Sequence, residues 1–365
     1  MPASSAFPGE TPSATPGPTP APHLSVREKA ARMLVVGFRG LDVERDSWIG
    51  RAIAEEGIGG VILFDRDARS GGVRNVESPA QVARLTARLR ALAPDRRLIV
   101  AIDQEGGRVT RLSPRYGFPD VASQASVGER GDAAVGAWAD GLAATLAGAG
   151  IDLNLAPVVD VNVNPDNPAV GALDRAFSAD PAVVARDAAI EIEAHRRHGV
   201  RTALKHFPGL GSATANTDFG VADVTATWRD RELDPYRALL ASGLVDAVMA
   251  AHVVNGQIDP NAPASLSRPT VTGLLREGLG WDGPVITDDL QAGAITAAFG
   301  GEDAVALTIE AGCDLLLFTN QQIFDRGIVA RTVDLIERLV ADGTITEARL
   351  DASVERIERL PSRDG

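Results

Sequence analysis

The sequence contains few of the features that are typical of disulfide-bonded or membrane-spanning proteins. One cysteine, Cys313, occurs in 365 residues, so neither an intramolecular disulfide nor a cysteine metal cluster can form. Cys313 lies in the apolar run AGCDLLLF and is predicted to be a core residue rather than a nucleophile. No stretch reaches the roughly 20 consecutive apolar residues that a transmembrane helix needs.

Positive charge is also scarce, since the chain carries a net charge of −13. A phosphate backbone or an anionic membrane surface would be repelled, so we expect no nucleic-acid partner. The lack of a long apolar stretch predicts no membrane span. Only two of the 36 basic residues are lysines, Lys29 and Lys205. Because arginine supplies nearly all other positive charge, the lysine before His206 predicts a site that needs a compact ammonium group.

The first 23 residues, MPASSAFPGETPSATPGPTPAPH, have no apolar segment of the kind found in signal peptides. Their Pro, Ser, Thr and Ala content predicts a disordered lead-in. We therefore expect a cytoplasmic protein, or an exported or lipid-anchored one if the natural chain begins further upstream. The rest of the chain is predicted to fold as one domain, and we expect a monomer.

Eight short apolar runs alternate with amphipathic stretches of helical spacing. The runs cover residues 33–38, 60–64, 98–103, 153–161, 202–207, 246–253, 284–289 and 314–318. This alternation predicts an α/β protein, a single-domain (β/α)8 TIM-type barrel over residues 24–360. A doubly wound open sheet is the structural alternative, although no Gly-x-Gly-x-x-Gly follows the first run. After Phe324 the sequence predicts one or two closing helices.

Polar side chains lie at the C-terminal ends of most of these predicted strands or in the loops just after them. They are Asp103, Arg111, Asp160, Arg175, Lys205, His206, His252, Asp288 and Asp289. In a barrel they would converge on one face, where carboxylates and cations with few aromatic residues suit a hydroxyl-rich substrate. A structural interpretation remains open for three of them: Asp160 could tie down a loop, and His206 and His252 could be core histidines.

Two further histidines are not predicted to belong to the site, and no cofactor is expected. His195 and His198 lie on an arginine-rich predicted helix, and we expect both on the surface. Neither a metal nor an organic cofactor is expected, because His206 and His252 have no ligand-type residue four positions away.

Three motifs in a fixed order carry a family resemblance: AIDQEGGRVTR (101–111), KHFPGLG followed by NTD (205–218), and VITDDL (285–290). They resemble glycoside hydrolase family 3, and most closely its N-acetyl-β-D-glucosaminidase branch, whose members act in bacterial cell-wall turnover. The resemblance implies a TIM-type barrel and a small-molecule or oligosaccharide substrate, including muropeptide fragments. It implies that Asp288 is the nucleophile of a retaining mechanism.

The same resemblance implies the residues that hold sugar hydroxyls. They are Asp103, Arg111, Arg175, Lys205 and His206. His252 joins this substrate-binding set because it lies at the end of the sixth predicted strand.

One segment departs from the branch. Its members place an Asp-x-His pair after the fifth strand, with the histidine as general acid/base, whereas this chain has Asn216, Thr217 and Asp218. Leu210 also replaces the final histidine of the usual KHFPGHG. An aspartic acid can protonate a leaving group if its pKa rises by roughly two units from ~3.9. Unlike histidine, it needs no second acid to fix a tautomer.

We therefore predict that Asp218 is the acid/base and that Asn216 is its supporting neighbour. A paired exchange of both residues preserves a working site, because an aspartate at 216 would repel Asp218. The alternatives are a sugar-binding protein that has lost turnover, a phosphorylase, and a β-glucosidase or β-xylosidase.

Overall fold

Eight parallel strands form the central sheet of the protein. In chain order they are β1 (Leu34–Gly37), β2 (Gly60–Leu63), β3 (Ile99–Ile102), β4 (Leu153–Asn154), β5 (Arg201–Phe207), β6 (Ala247–Ala250), β7 (Val285–Thr287) and β8 (Leu316–Phe318). The computed structural model describes residues 24–361. The predicted lead-in at residues 1–23 lies outside the described residues.

The strands close on themselves almost completely. Each strand from β1 to β6 pairs in parallel with the next one along the chain, and β1 also pairs with β8, for example Val35 with Leu317. A parallel bridge between Ile286 and Leu315 brings β7 to β8, and Thr287 N–H donates to the Leu315 carbonyl at 2.9 Å. The predicted (β/α)8 barrel is confirmed, and the open-sheet alternative is wrong.

The strands are connected by helices that pack around the barrel. They are α1 (Val26–Arg32), α2 (Trp48–Arg51), α3 (Pro79–Ala91), α4 (Gln124–Gly128), α5 (Asp132–Ala149), α6 (Pro181–Arg197), α7 (Asp234–Ser242), α8 (Gly293–Thr296), α9 (Gly301–Ala311), α10 (Ile328–Ala341) and α11 (Glu347–Glu358). Wider π-type turns cover Ala52–Glu56 and Pro269–Gly278. No helix within residues 24–361 combines the length and hydropathy needed to cross a membrane.

Local sequence accounts for several helix boundaries. Ser25 accepts from the Glu28 N–H while the Glu28 carboxylate accepts from the Ser25 N–H, which satisfies two donors at the start of α1. Ser78 caps α3 and Pro79 occupies its first position, where a missing N–H has no cost. The chain turns between α10 and α11 at Gly343, whose φ of 82° favours glycine.

Short accessory strands extend the C-terminal end of the barrel. After β3, Gln104–Gly106 and Val109–Thr110 form an antiparallel hairpin. Further along, Ala222–Asp223, Val253–Asn255 and Asp259–Pro263 form a second small sheet. The hairpin forms part of the wall at the face of the barrel where the strand ends place their polar residues.

One predicted surface residue is buried. His195 is fully buried on α6, where its ring nitrogens lie 3.1 Å from Asn154 Nδ2 and 2.8 Å from the Glu191 carbonyl oxygen. The expectation for His195 was wrong because its side of α6 packs on β4, next to Asn154. Burial lowers the pKa of His195 to about 4, which keeps the imidazole neutral.

Candidate active site

A cavity of about 590 Å³ opens at the C-terminal end of the barrel. The structure brings most of the predicted site residues to its wall: Asp103, Arg111, Arg175, Lys205, His206, Asn216, Asp218 and Asp288. Asp160 and His252 lie behind this wall. The parallel strands explain the convergence, because all of their carboxyl ends meet at one face.

Lys205 and Arg175 hold two carboxylates on one side of the cavity. Lys205 Nζ donates to Asp103 Oδ1 at 2.7 Å and lies 2.6 Å from Glu105 Oε1. Arg175 donates to both Glu105 oxygens, at 2.7 and 2.8 Å. The Lys205 side chain is 2% exposed, so its burial opposes the charge, but Asp103 and Glu105 raise its pKa. The compact ammonium of Lys205 lies between the carboxylates of Asp103 and Glu105.

Arg111 lies less tightly in the same wall. Its guanidinium is 3.9 Å from Asp103 and stacks over the Phe64 ring at 5.2 Å. Its backbone N–H donates to Gln104 Oε1 at 2.8 Å, which fixes the hairpin after β3. The guanidinium therefore keeps donors free to bind a polar substrate group.

His206 is held in one orientation by Asp160. Its Nδ1 lies 2.6 Å from Asp160 Oδ2, and Asp160 Oδ1 accepts from the N–H groups of His206 and Leu210. Arg175 Nη2 lies 3.3 Å from His206 Nε2. Because a guanidinium can only donate, Nε2 accepts and Nδ1 donates. Asp160 thus ties the strand-end loop and fixes the His206 ring.

Asp288 lies at the end of β7 with its carboxylate toward the cavity. Its Oδ1 accepts from the Asp289 N–H at 2.8 Å. Burial opposes its ionisation, but His252 and His206 when protonated, the Asp289 N–H and the charge of Lys205 lower the pKa of Asp288. The carboxylate therefore stays ionised, as a nucleophile must be.

His252 supports this segment from behind. Its Nε2 donates to the Asp289 carbonyl oxygen at 2.8 Å, and its Nδ1 lies 2.7 Å from Ser265 Oγ. Burial lowers the pKa of His252, so the neutral ring accepts from the Ser265 hydroxyl. His252 was predicted to bind substrate, but it lies outside the cavity wall and supports the backbone at Asp289.

Asp289 turns away from the position of the nucleophile. Its Oδ1 accepts from the N–H groups of Gln291 and Thr319, and its Oδ2 accepts from the Thr319 hydroxyl. Burial raises the pKa of Asp289 to about 6. These bonds join the loop after β7 to the loop after β8.

Asp218 reaches the cavity on a loop, which we call the flap (residues 212–221). Asn216 Oδ1 accepts from the Asp218 N–H at 2.9 Å, and the Phe219 N–H donates to the Asn216 carbonyl at 3.2 Å. Asn216 therefore shapes the turn that carries Asp218 rather than binding its carboxyl group.

The surroundings of the Asp218 carboxyl group raise its pKa. Desolvation is the main cause, followed by the negative charge of Asp288, while Arg175 and His206 oppose the rise. Asp218 as a residue remains exposed at the mouth of the cavity, so solvent limits the shift. Among the carboxyl groups that line the cavity, Asp288 has a lowered and Asp218 a raised pKa, which is the pattern of a nucleophile and an acid.

Sequence reasoning missed Glu105, which organises the cationic side of the cavity. Its charge is buried, yet Arg175 and Lys205 hold its pKa well below the ordinary range. Strand periodicity could have found it, since residues two apart share a face and Glu105 follows Asp103 by two. It also missed the polar rim from the β2 and β8 loops, which includes Arg66 and Gln321.

Comparison with known proteins gives a consistent assignment. Residues 25–360 match the glycosyl hydrolase family 3 N terminal domain. A beta-hexosaminidase of Xylella fastidiosa (strain M23) is 34% identical over 340 residues, covering 87% of this chain and 95% of the relative. A beta-hexosaminidase of Xanthomonas oryzae pv. oryzae (strain KACC10331 / KXO85) is 35% identical over 311 residues, covering 82% and 86%.

Two solved structures are similar over most of this chain. A family 3 beta-N-acetylglucosaminidase from Paenibacillus sp. str. FPU-7 superposes with a TM-score of 0.84 and 35% identity, and 93% of this chain spans 63% of that protein. A beta-N-acetylhexosaminidase from Beutenbergia cavernae DSM 12333 gives a TM-score of 0.81 and 34% identity, with 92% and 98% covered. The motifs, the barrel and these relatives agree, and the chain belongs to glycoside hydrolase family 3.

Proposed function

We propose that this protein is a retaining exo-β-N-acetylglucosaminidase that removes terminal β-linked N-acetylglucosamine from short glycosides, including muropeptide fragments. The observation that carries the proposal is the placement of Asp288 and Asp218 in one cavity, where the surroundings lower the pKa of Asp288 and raise that of Asp218. The acetamido preference is inferred from the beta-hexosaminidases to which the chain is similar. The muropeptide substrate is inferred from the branch that the motifs resemble.

In the first step Asp288 attacks the anomeric carbon and Asp218 protonates the departing oxygen. The C–O bond to the leaving group breaks as the bond to the Asp288 carboxylate forms, giving a glycosyl ester. Asp103, Lys205 and His206 bind sugar hydroxyls and orient the ring over Asp288. Orientation of this kind lowers the barrier because the reacting atoms are already close.

In the second step Asp218 removes a proton from water, which attacks the same carbon and releases Asp288. Ester formation neutralises Asp288, and with it one of the charges that raise the pKa of Asp218. The pKa of Asp218 falls in the intermediate, so the former acid becomes a better base. The same pair of residues thus serves both half-reactions.

Hydrolysis of p-nitrophenyl β-N-acetylglucosaminide between pH 4 and 8 tests the proposal. We expect release of p-nitrophenol by the wild type and a loss of about 10³-fold or more in Asp288→Asn. Asp223→Asn, which changes an exposed aspartate outside the cavity, is the matched control and should keep full activity.

Product analysis separates the other functions. Binding of N-acetylglucosamine without turnover would show a sugar-binding protein, and would contradict the proposal. Formation of N-acetylglucosamine 1-phosphate only when phosphate is added would show a phosphorylase. We expect the ionised Asp218 carboxylate to disfavour phosphate as the acceptor, because the phosphate would approach the anomeric carbon beside a second negative charge.

A further inference from the structure

The flap that carries Asp218 rests on the first turn of α8. Gly293 N–H donates to the Asp218 carbonyl at 3.0 Å, and Ala294 N–H donates to the Thr217 carbonyl at 3.1 Å. The first N–H groups of a helix have no partner within the helix, so these two are available to hold another segment. The flap therefore binds to α8 through the backbone of the acid residue itself.

Gly293 allows this contact because it has no side chain. A Cβ atom at Gly293 would lie 2.7 Å from the Phe219 carbonyl carbon, 2.8 Å from its oxygen and 3.0 Å from the Asp218 carbonyl oxygen. All three are backbone atoms of the flap, so the clash is relieved only if the flap moves. The φ of Gly293 is not in the left-handed region, so its own backbone does not require glycine.

The same segment carries the nucleophile. Asp288 lies five residues before Gly293, and the Asp288 N–H donates to the Ala250 carbonyl of β6 at 3.0 Å. Between them, the Ala292 N–H donates to the Asp289 carbonyl at 2.8 Å, and the Asp289 carboxylate caps the Gln291 N–H. Any shift of the flap away from α8 is thus a shift of Asp218 relative to Asp288.

We propose that Gly293 is a positioning residue: its missing side chain lets the flap bind to α8, and this contact fixes the distance between the Asp218 and Asp288 carboxyl groups. The inference deepens the proposed function and rests on it for the catalytic consequence. Gly293 touches no reacting atom and acts through Asp218 alone. A methyl group there should therefore impair proton donation while leaving nucleophilic attack intact.

Leaving-group dependence distinguishes this role from a general structural one. A 2,4-dinitrophenyl glycoside departs without a proton, whereas chitobiose needs one from Asp218. For Gly293→Ala we expect a fall in kcat/KM of about 10-fold to 100-fold on chitobiose and less than about 3-fold on the dinitrophenyl substrate. Gly293→Ser, with a larger side chain, should show at least the same selective loss.

A second experiment measures the contact between the flap and α8. Hydrogen–deuterium exchange of peptides covering residues 212–221 should be faster in Gly293→Ala, because the flap spends less time bound to α8. Gly301→Ala is the matched control: Gly301 is also the first residue of a helix, α9, and nothing lies within 4 Å of its Cβ position. The control should change neither exchange in the flap nor turnover, and urea unfolding checks that all variants fold.

Equal losses on both substrates, or unchanged flap exchange in Gly293→Ala, would overturn the proposal. If the wild type cleaves neither substrate, the proposed function is contradicted. Faster flap exchange in Gly293→Ala would still support the contact between the flap and α8.

Discussion

At the scale of single residues, the site depends on charges that are buried and paired. Glu105 is 1% exposed and bonded to both Arg175 and Lys205. A buried ion pair adds little net stability over apolar packing, but removal of one partner leaves the other charge without compensation. The cationic side of the cavity is therefore sensitive to loss of this one carboxylate.

Glu105→Ala is expected to lower the free energy of unfolding by about 3–5 kcal/mol, because Arg175 loses its two carboxylate bonds inside the protein. Urea denaturation at pH 7 measures the change. Glu302→Ala, which removes an exposed partner of Arg338, is the control and should cost about 1 kcal/mol or less. Equal effects of the two substitutions would contradict the account.

The acid role of Asp218 makes kcat/KM depend on pH. The lowered pKa of Asp288 and the raised pKa of Asp218 predict a bell-shaped profile of kcat/KM, with activity lost on the acid side as Asp288 gains a proton and on the alkaline side as Asp218 loses one. Asn216→Asp keeps an oxygen for the Asp218 N–H and adds a negative charge. Its alkaline limb should move to higher pH, while Asn216→Ala should not move it in that direction.

At the scale of elements, the ends of strands were predicted less well than their centres. Residues 153–161 were expected to form one strand, but the regular ladder of β4 covers Leu153–Asn154 because Pro157 has no N–H to donate. Residues 246–253 were also expected to form one strand, yet Val253 pairs with Ala222 in the second small sheet. A pairing partner so distant in sequence cannot be read from local periodicity.

The turn Asp230–Leu233 carries a buried acid that does not line the cavity. Glu232 is fully buried, and its Oε1 accepts from the Arg229 N–H at 3.1 Å. Burial raises the pKa of Glu232 to about 7, and the charge of Asp160 adds to the rise. Ionisation of Glu232 therefore destabilises the folded state.

The raised pKa of Glu232 makes the free energy of unfolding depend on pH. The folded protein holds the Glu232 proton more tightly than the unfolded chain, so stability is lost as pH rises from about 4.5 to about 7. Relative to Glu232→Gln, the wild type should lose about 3 kcal/mol over this interval. Urea unfolding of both proteins across the interval measures the difference, and a constant difference would contradict the prediction.

At the scale of the whole molecule, Arg74 links the first and last strands of the barrel. It is 1% exposed and donates to the Phe38 carbonyl after β1 and to the Thr319 and Asn320 carbonyls after β8. Burial lowers the pKa of Arg74 to about 10, well above neutral pH, so the guanidinium stays charged. The closure of the ring thus depends on one side chain as well as on the strand pairing.

Arg74→Met should lower the free energy of unfolding by about 3–5 kcal/mol, because three buried carbonyl groups lose their donor. Arg237→Met removes an exposed ion pair with Asp230 and is the control, with an expected cost of about 1 kcal/mol or less. Urea denaturation checks both. A small effect at Arg74 would mean that strand pairing alone closes the barrel.

The sequence predicted the barrel because eight apolar runs and their helices each carry a local periodic pattern. It predicted the cavity because parallel strands bring their carboxyl ends together, which places Asp103, Lys205 and Asp288 on one wall. It could not predict the buried place of His195 or the binding of the flap to Gly293. Both depend on contacts between segments that are far apart along the chain.

Azide rescue of Asp218→Ala tests whether Asp218 donates the proton and then serves as the base. Azide enters the space left by the carboxylate and attacks the glycosyl ester without needing a base. The account predicts that the variant loses about 10²-fold to 10⁴-fold of its activity on chitobiose. It also predicts that azide accelerates the variant on a dinitrophenyl substrate and yields the β-glycosyl azide. No acceleration and no azide product, or full activity of the variant on chitobiose, would contradict it.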